Sequence, residues 1–283
     1  MKKNRIASLL VIALIYIFSC VFQAWALGVR IDKPKVFLTI SPGAYDSGEI
    51  QVENTGSEAI PIKVYLEDWV YAQQDGGKEF MPKATTPLSC SDWITFFPSD
   101  FTLQPGKSQV VRYTINVPKD ATGGHYSVFF FETAGGDIKE VDQEGNNVFV
   151  KVLNRLGALF YVDAEGTVQK TAELQDLSIS QKLNSLIVSA NLVNTGNTYI
   201  SCSGSFNILD KEGFVYARGE FEQAYTLPKD KIALRSAVST TSLKSGNYDI
   251  LLTLDFENGG SLVQEGNFTV LSEGSFSSVA LKK

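Results

Sequence analysis

Leu186-Ile187-Val188-Ser189-Ala190-Asn191-Leu192-Val193 runs into Asn194-Thr195-Gly196, and Glu49-Ile50-Gln51-Val52-Glu53 runs into Asn54-Thr55-Gly56. Each is an alternating run followed by residues suited to a tight turn between strands. The flanking order repeats as well. Leu103-Gln104-Pro105-Gly106 precedes a strand-like run containing Arg112, and Leu227-Pro228 precedes one containing Arg235. Gly124-His125-Tyr126 then opens Ser127-Val128-Phe129-Phe130-Phe131, and Gly246-Asn247-Tyr248 opens Asp249-Ile250-Leu251-Leu252-Thr253-Leu254. A repeat of this order predicts two similar units in one chain.

Further short runs, Val36-Phe37-Leu38-Thr39-Ile40, Ile62-Lys63-Val64-Tyr65-Leu66 and Gln109-Val110-Val111-Arg112-Tyr113-Thr114-Ile115, alternate with turn clusters, and almost no long segment keeps a helical period. The chain is therefore expected to be all-β. A tyrosine just after a glycine turn, at the start of a late strand, is where immunoglobulin-like sandwiches place the hydroxyl that closes a backbone acceptor. Tyr126 and Tyr248 are the two candidates for this tyrosine corner. The expected architecture is two immunoglobulin-like β-sandwich domains in tandem, 27–163 and 168–272, meeting at the polar stretch Asp163-Ala164-Glu165-Gly166-Thr167, with a polar tail at 273–283. The first unit exceeds a minimal sandwich, and its excess, 73–92 and 135–147, reads as two loops. His125 reads as a partly exposed turn residue, and Trp69 and Trp93 as core packing.

Lys2, Lys3 and Arg5 precede an uncharged run over 6–22, and Ala24-Trp25-Ala26 supplies the small residues of a cleavage site. Residues 1–26 are read as a secretory signal; an uncleaved anchor and a lipid on Cys20 are the alternatives. Export places the mature chain in a periplasm or cell envelope. Removing three basic groups takes the formal charge from −6 to −9. With no basic cluster, a nucleic-acid partner is not expected. Of the three cysteines, Cys90 and Cys202 remain after cleavage, and they either staple the two units together or stay as separate thiols.

The single histidine, His125, removes most catalytic triads and histidine metal sites, and no cysteine pair has metal-ligand spacing. Carboxylate pairs such as Asp163 with Glu165, or Glu132 with Asp137, read as solvated loop groups. Neither enzymatic activity nor a metal or other cofactor is expected.

Val29-Arg30-Ile31-Asp32-Lys33-Pro34-Lys35, Ile50-Gln51-Val52-Glu53-Asn54-Thr55-Gly56, Phe101-Thr102-Leu103-Gln104-Pro105-Gly106 and Leu159-Phe160-Tyr161 occur in the order that resembles periplasmic pilus-assembly chaperones. That resemblance implies a cleft in which two basic residues hold the C-terminal carboxylate of a client subunit, beside an edge strand that completes the client's sheet. The first basic residue falls on Lys35. The second falls on Ala158, and Arg155 lies three residues earlier, on the opposite face of an extended strand. Counting back from Leu159, the alternating positions are Phe149, Lys151 and Leu153, so the middle one is charged. Within the strand-like segment 146–162, Val148, Val150 and Val152 form an apolar row that meets a partner if that parity faces outward, and the domain's own core if it does not. Lys35, Val148, Val150, Val152 and Arg155 are thus the candidate partner-binding residues.

The stretches Pro118-Lys119-Asp120-Ala121-Thr122-Gly123-Gly124-His125-Tyr126 and Asn194-Thr195-Gly196-Asn197-Thr198-Tyr199-Ile200 are similar to exported two-domain proteins of the WxL-interacting type. That resemblance implies partners among surface proteins and cell-wall polymers; the membrane segment usual in that family has no counterpart in 271–283. The expected function is that of an exported binding or assembly protein acting on another exported protein by strand addition, as a pilus chaperone does, with envelope adhesion as the alternative. No membrane span is expected in the mature chain. N-terminal sequencing of protein recovered from the envelope fraction is expected to begin at Leu27; a chain starting at Met1, or one lipidated at Cys20, would contradict the leader assignment.

Overall fold

The computed structural model describes residues 28–72, 77–141, 147–182, 184–239, 243–257, 259–272 and 275–282, and the expected leader lies outside them. The first unit comprises β1 (Val29–Ile31), β2 (Lys35–Ile40), β3 (Tyr45–Asn54), β4 (Ile60–Tyr71), β5 (Lys78–Met81), β6 (Ile94–Phe97), β7 (Asp100–Leu103), β8 (Ser108–Asn116), β9 (Gly124–Val141) and β10 (Asn147–Ala164). One sheet has the order β1-β3-β8-β6, and the other β2-β10-β9-β4-β5 with β7 also on β4. The second unit comprises β11 (Ala172–Lys182), β12 (Ser185–Asn194), β13 (Ile200–Leu209), β14 (Val215–Thr226), β15 (Lys231–Ser239), β16 (Gly246–Phe256), β17 (Ser261–Ser272), β18 (Ser275–Phe276) and β19 (Ala280–Leu281), in sheets β11-β12-β15 and β14-β13-β16-β17-β18 with β19 also on β17. The stretch expected to be a polar tail thus adds two short strands to β17, and Phe276 and Val279 pack on the core. The fold is all-β, two immunoglobulin-like sandwiches in tandem. Among the described residues no helix is long and apolar enough to cross a membrane.

Alternation places the core. Ile50, Val52, Val111 and Ile115 of one sheet meet Ile62, Val64, Phe129, Phe131 and Phe160 of the other, all buried. The chain reaches both sheets at its start: β1 pairs antiparallel with β3, and β2 pairs parallel with β10. The switch falls at Asp32-Lys33-Pro34. Asp32 still exchanges hydrogen bonds with Gln51, its N–H donating to the Gln51 carbonyl and its Oδ1 accepting the Gln51 N–H. Pro34 has no N–H to continue a ladder, but its carbonyl accepts the Leu159 N–H at 3.0 Å and starts the pairing with β10.

The repeated Asn-Thr-Gly stretches form one device used twice. Asn54 is fully buried; its Nδ2 donates to the carbonyls of Glu58 (2.7 Å) and Leu103 (3.0 Å), while its Oδ1 accepts the Gly56 N–H. Asn194 does the same with the Thr198 carbonyl (2.9 Å) and the Gly196 N–H (3.0 Å), and its Nδ2 also reaches Thr226. Each side chain ties a strand end to the turn after it and to a distant strand.

Of the segment 135–147, expected to be a loop, residues 135–141 and 147 are strand, because β9 and β10 stay paired antiparallel as far as Val141 and Asn147; 142–146 lie outside the described residues. Gly135 is an extra residue on β9, where the register shifts between Val152 and Leu153. A Cβ there would lie 2.8 Å from Asn154 Nδ2 and 2.9 Å from a Val152 methyl, so the glycine serves close strand approach and not a turn. The other excursion, 73–92, contains β5, and its return is anchored on buried Asp68. This carboxylate accepts from the Thr85 and Thr86 N–H groups (2.9 Å each), Thr86 Oγ1 (3.1 Å) and Ser89 Oγ (2.7 Å). Burial alone would raise its pKa; donation from the Thr86 backbone and the neighbouring hydroxyls outweighs it and holds the group below its ordinary value.

Asn54→Ala and Asn194→Ala each leave a buried carbonyl and a turn N–H without partners, and are expected to cost about 2–3 kcal/mol, read as a lower melting temperature of the affected sandwich. Because the folded-state pKa of Asp68 is depressed, its contribution is complete above the unfolded value, about pH 4, and fades as pH falls through the folded value. Asp68→Asn should cost about 1–3 kcal/mol at neutral pH, and denaturant melts below about pH 4 should show wild type and variant converging.

Candidate partner-binding edge

Strand β10 has β9 on one side along its length, whereas β2 covers its other side only over 159–164. Among the described residues no strand pairs with that edge over 147–158. Outward-pointing N–H and C=O groups on such a stretch form a template for another extended chain.

The outer face of this sheet is ordered in rows set by register. Phe37, Tyr161 and Tyr126 form one row; Lys35, Leu159, Val128 and Glu67 form the next; Gly157, Phe130 and Tyr65 follow; then come Arg155, Glu132 and Lys63. Gly157 leaves a notch between Arg155 and Leu159, since a Cβ there would press on Val128 and Phe130 at 3.1 and 3.3 Å. Around it lies a groove of about 570 Å³ with a floor of Phe130 and Leu159 and a rim that includes Lys33, Lys35, Lys78 and Arg155.

The four cations are held differently. Lys33 Nζ donates to the Glu49 carbonyl at 2.8 Å. Lys35 lies 5.3 Å from the ring centre of Tyr225, and Lys78 lies 5.5 Å from that of Tyr71. None of the three lysines has a carboxylate partner among the described residues. Arg155 has one: its guanidinium meets Glu67 at 3.3 Å and Tyr65 Oη at 3.4 Å, and lies 4.4 Å from the Phe130 ring centre and 5.9 Å from that of Phe80. The groove thus offers three lysines to an anion, with an arginine fixed beside them.

The second sandwich closes the far side of this face. Tyr199 packs on Tyr161 (4.8 Å) and Leu227 enters the buried cluster of Trp69, Tyr126, Val128, Phe130, Leu159 and Tyr161. Polar contacts set the approach: Thr198 Oγ1 donates to Asp163 Oδ1 at 2.5 Å, and the Gly124 N–H donates to the Asn197 carbonyl at 2.8 Å. Gly123, at φ +75°, has no side chain to collide with that carbonyl, 2.3 Å from where its Cβ would be.

Lys35 and Arg155 fall on one face and line one groove, and Ala158 faces the core with Phe160. For the valine row, whose parity the sequence left open, the described residues put Val152 on the inward parity. Val152 shares its face with Asn154 and with Leu156, which packs on the core; the outward positions are Lys151, Leu153 and Arg155. The side chains of Val148 and Val150 lie outside the described residues. The Tyr126 hydroxyl is buried at the junction, beside Thr198 of the second sandwich and close to where a Gly124 Cβ would be, and no bond to a backbone acceptor of its own corner occurs among the described residues. Tyr248 Oη donates to the Lys244 carbonyl at 3.0 Å. His125 is half-buried against Trp93, and Trp69 is fully buried at the junction, its Nε1 donating to the Ser127 carbonyl. Cys90 and Cys202 are separate, buried and free; burial pushes the thiols up to about 12 and about 11. Sequence reading missed Lys33, Lys78, Phe80 and Gly157 as groove residues, and Tyr225 as the ring beneath Lys35. The parity of Gly157 with Leu159 could have flagged the notch, whereas Lys78 and Tyr225 are brought in by tertiary packing alone.

No family model and no curated protein matches the chain. Among solved structures, the YadV chaperone is similar at 13% identity over 86% of this chain and 100% of that one, with a TM-score of 0.44. A chaperone–tip adhesin complex of CFA/I fimbriae is similar at 12% identity over 84% and 97%, with a TM-score of 0.46. A Salmonella enterica complex of SafA pilin with the SafB chaperone is similar at 12% identity over 87% and 97%, with a TM-score of 0.41. Neither the resemblance to WxL-interacting proteins nor a cell-wall polymer as partner finds support in these comparisons. The two-sandwich fold rests on the sheets described above.

Proposed function

We propose that the protein is an exported, non-enzymatic assembly factor that binds an extended segment of another exported protein by strand addition to β10. The client class follows the resemblance in the sequence: a pilus-type subunit. The observation that carries the reading is the coincidence of two features at one place, since the edge of β10 that no described strand pairs stops where β2 begins, at the basic groove.

A segment added parallel to β10 would lie in line with β2 and point its C-terminus toward Lys35. With β2 already opposite Leu159, its last residue would sit beside Gly157. The terminal carboxylate would then meet Lys33 and Lys35, while its backbone hydrogen bonds to the edge of β10. Main-chain pairing in this mode supplies affinity, and the anchored terminus sets register. Arg155, engaged by Glu67, would shape the notch more than neutralise the anion.

A charge-assisted hydrogen bond at such a site contributes roughly 1.5–3 kcal/mol. Lys35→Ala is therefore expected to weaken binding of a client-derived peptide with a free C-terminus by about ten-fold or more, measured by fluorescence anisotropy, and to have little effect on the already weak binding of the same peptide amidated at its C-terminus. Equal binding of the free and amidated peptides to the wild-type protein would remove the carboxylate anchor, and with it this function.

A further inference from the structure

Beyond the anchor, the outward face of β10 is uneven in charge. Arg155 is matched by Glu67, and its row also contains Glu132 and Lys63. Leu153 follows, 49% exposed. Lys151 is next on the same face, exposed, and has no ion-pair partner among the described residues. It shares a shallow groove of about 500 Å³ with Leu153, Lys63, Asp100 and Glu132, but neither of those carboxylates reaches ion-pair distance from it. Its register neighbour on β9 is Asp137. The edge therefore presents, outward from the anchor, a cation paired with Glu67, an apolar side chain and a cation with no ion pair among the described residues.

We infer that this edge selects client segments with an acidic side chain in register with Lys151 and an apolar contact for Leu153 between that acid and the C-terminus. The inference rests on the strand-addition reading above and names the client chemistry it would recognise. Side chains directly across a strand pair on one face interact, and opposite charges there are favourable while like charges are not. With the terminal residue beside Gly157, the residue beside Lys151 is about six positions upstream, the one beside Leu153 about four, and the one beside Arg155 about two. An acid at the latter place would meet a guanidinium already paired, so the preference belongs to Lys151.

The test uses the full mature chain and alternating peptides with a free C-terminus, each carrying one Glu at a position stepped from about three to eight residues before the end. A Gln peptide serves as reference at every position. One Glu position near six is expected to bind about two- to five-fold tighter than Gln at low ionic strength, with the advantage lost at about 1 M salt. In Lys151→Glu the preference at that position should invert, so that the Glu peptide binds more weakly than the Gln peptide and a Lys peptide binds more tightly. A Glu advantage that persists unchanged in Lys151→Glu overturns the assignment. So does a flat profile among peptides that still bind more tightly with a free than with an amidated terminus, and that result leaves strand addition standing. If amidation makes no difference, or no peptide binds, strand addition itself fails and the inference falls with it.

Discussion

One edge of a β-strand can pair with only one neighbour, and β2 covers β10 only from Leu159 onward. The rest of the functional reading depends on that partial cover. The sheet switch at Asp32-Lys33-Pro34 sets where β2 begins: the chain is still paired with β3 through Asp32 and first bonds to β10 through the Pro34 carbonyl. A longer β2 would have sealed the edge. The switch also brings Lys33 and Lys35 to the point where the open stretch ends, so a backbone template and a cationic terminus share one origin.

The second sandwich contributes from across the junction. Tyr225 lies beneath the Lys35 ammonium, and Tyr199 packs on Tyr161 behind Phe37. Asp163, Thr198, Asn197 and the two glycines at 123 and 124 fix the approach through short polar contacts. The aromatic face between the domains is thereby removed from water, while the groove on its flank stays open. The aromatic part of this sheet's outer face is thus buried against the second domain, and the β10 edge over 147–158 is left without a paired strand among the described residues.

Much of the architecture was legible because the Asn-Thr-Gly, Leu-Pro and Gly-x-Tyr signals recur in order, and alternation located the strands between them. The asparagines themselves were read only as turn formers. That each amide is buried and ties three chain segments together depends on long-range closure, which spacing does not reveal. Gly135 and Gly136 suggested a loop because glycine has the same appearance in a turn and at a bulge between close strands. At the site, Lys35 was named only through the resemblance to pilus chaperones, and the structure puts it on the groove rim. The valine row was ambiguous because alternation gives two faces without saying which is inward; the core contacts of Leu156 and Phe160 decide that. Tyr126 satisfied the local pattern of a corner, and its burial against the neighbouring domain depends on long-range packing that the local pattern does not show.

Hydrogen–deuterium exchange along β10, with and without a saturating peptide that ends in a free carboxylate, tests the central claim most directly. Amides in 147–158 that point away from β9 are expected to exchange readily in the free protein and to become protected on binding, while those over 159–164, already paired with β2, change little. Binding that leaves 147–158 unprotected, or that protects a different sheet edge, would contradict strand addition at β10.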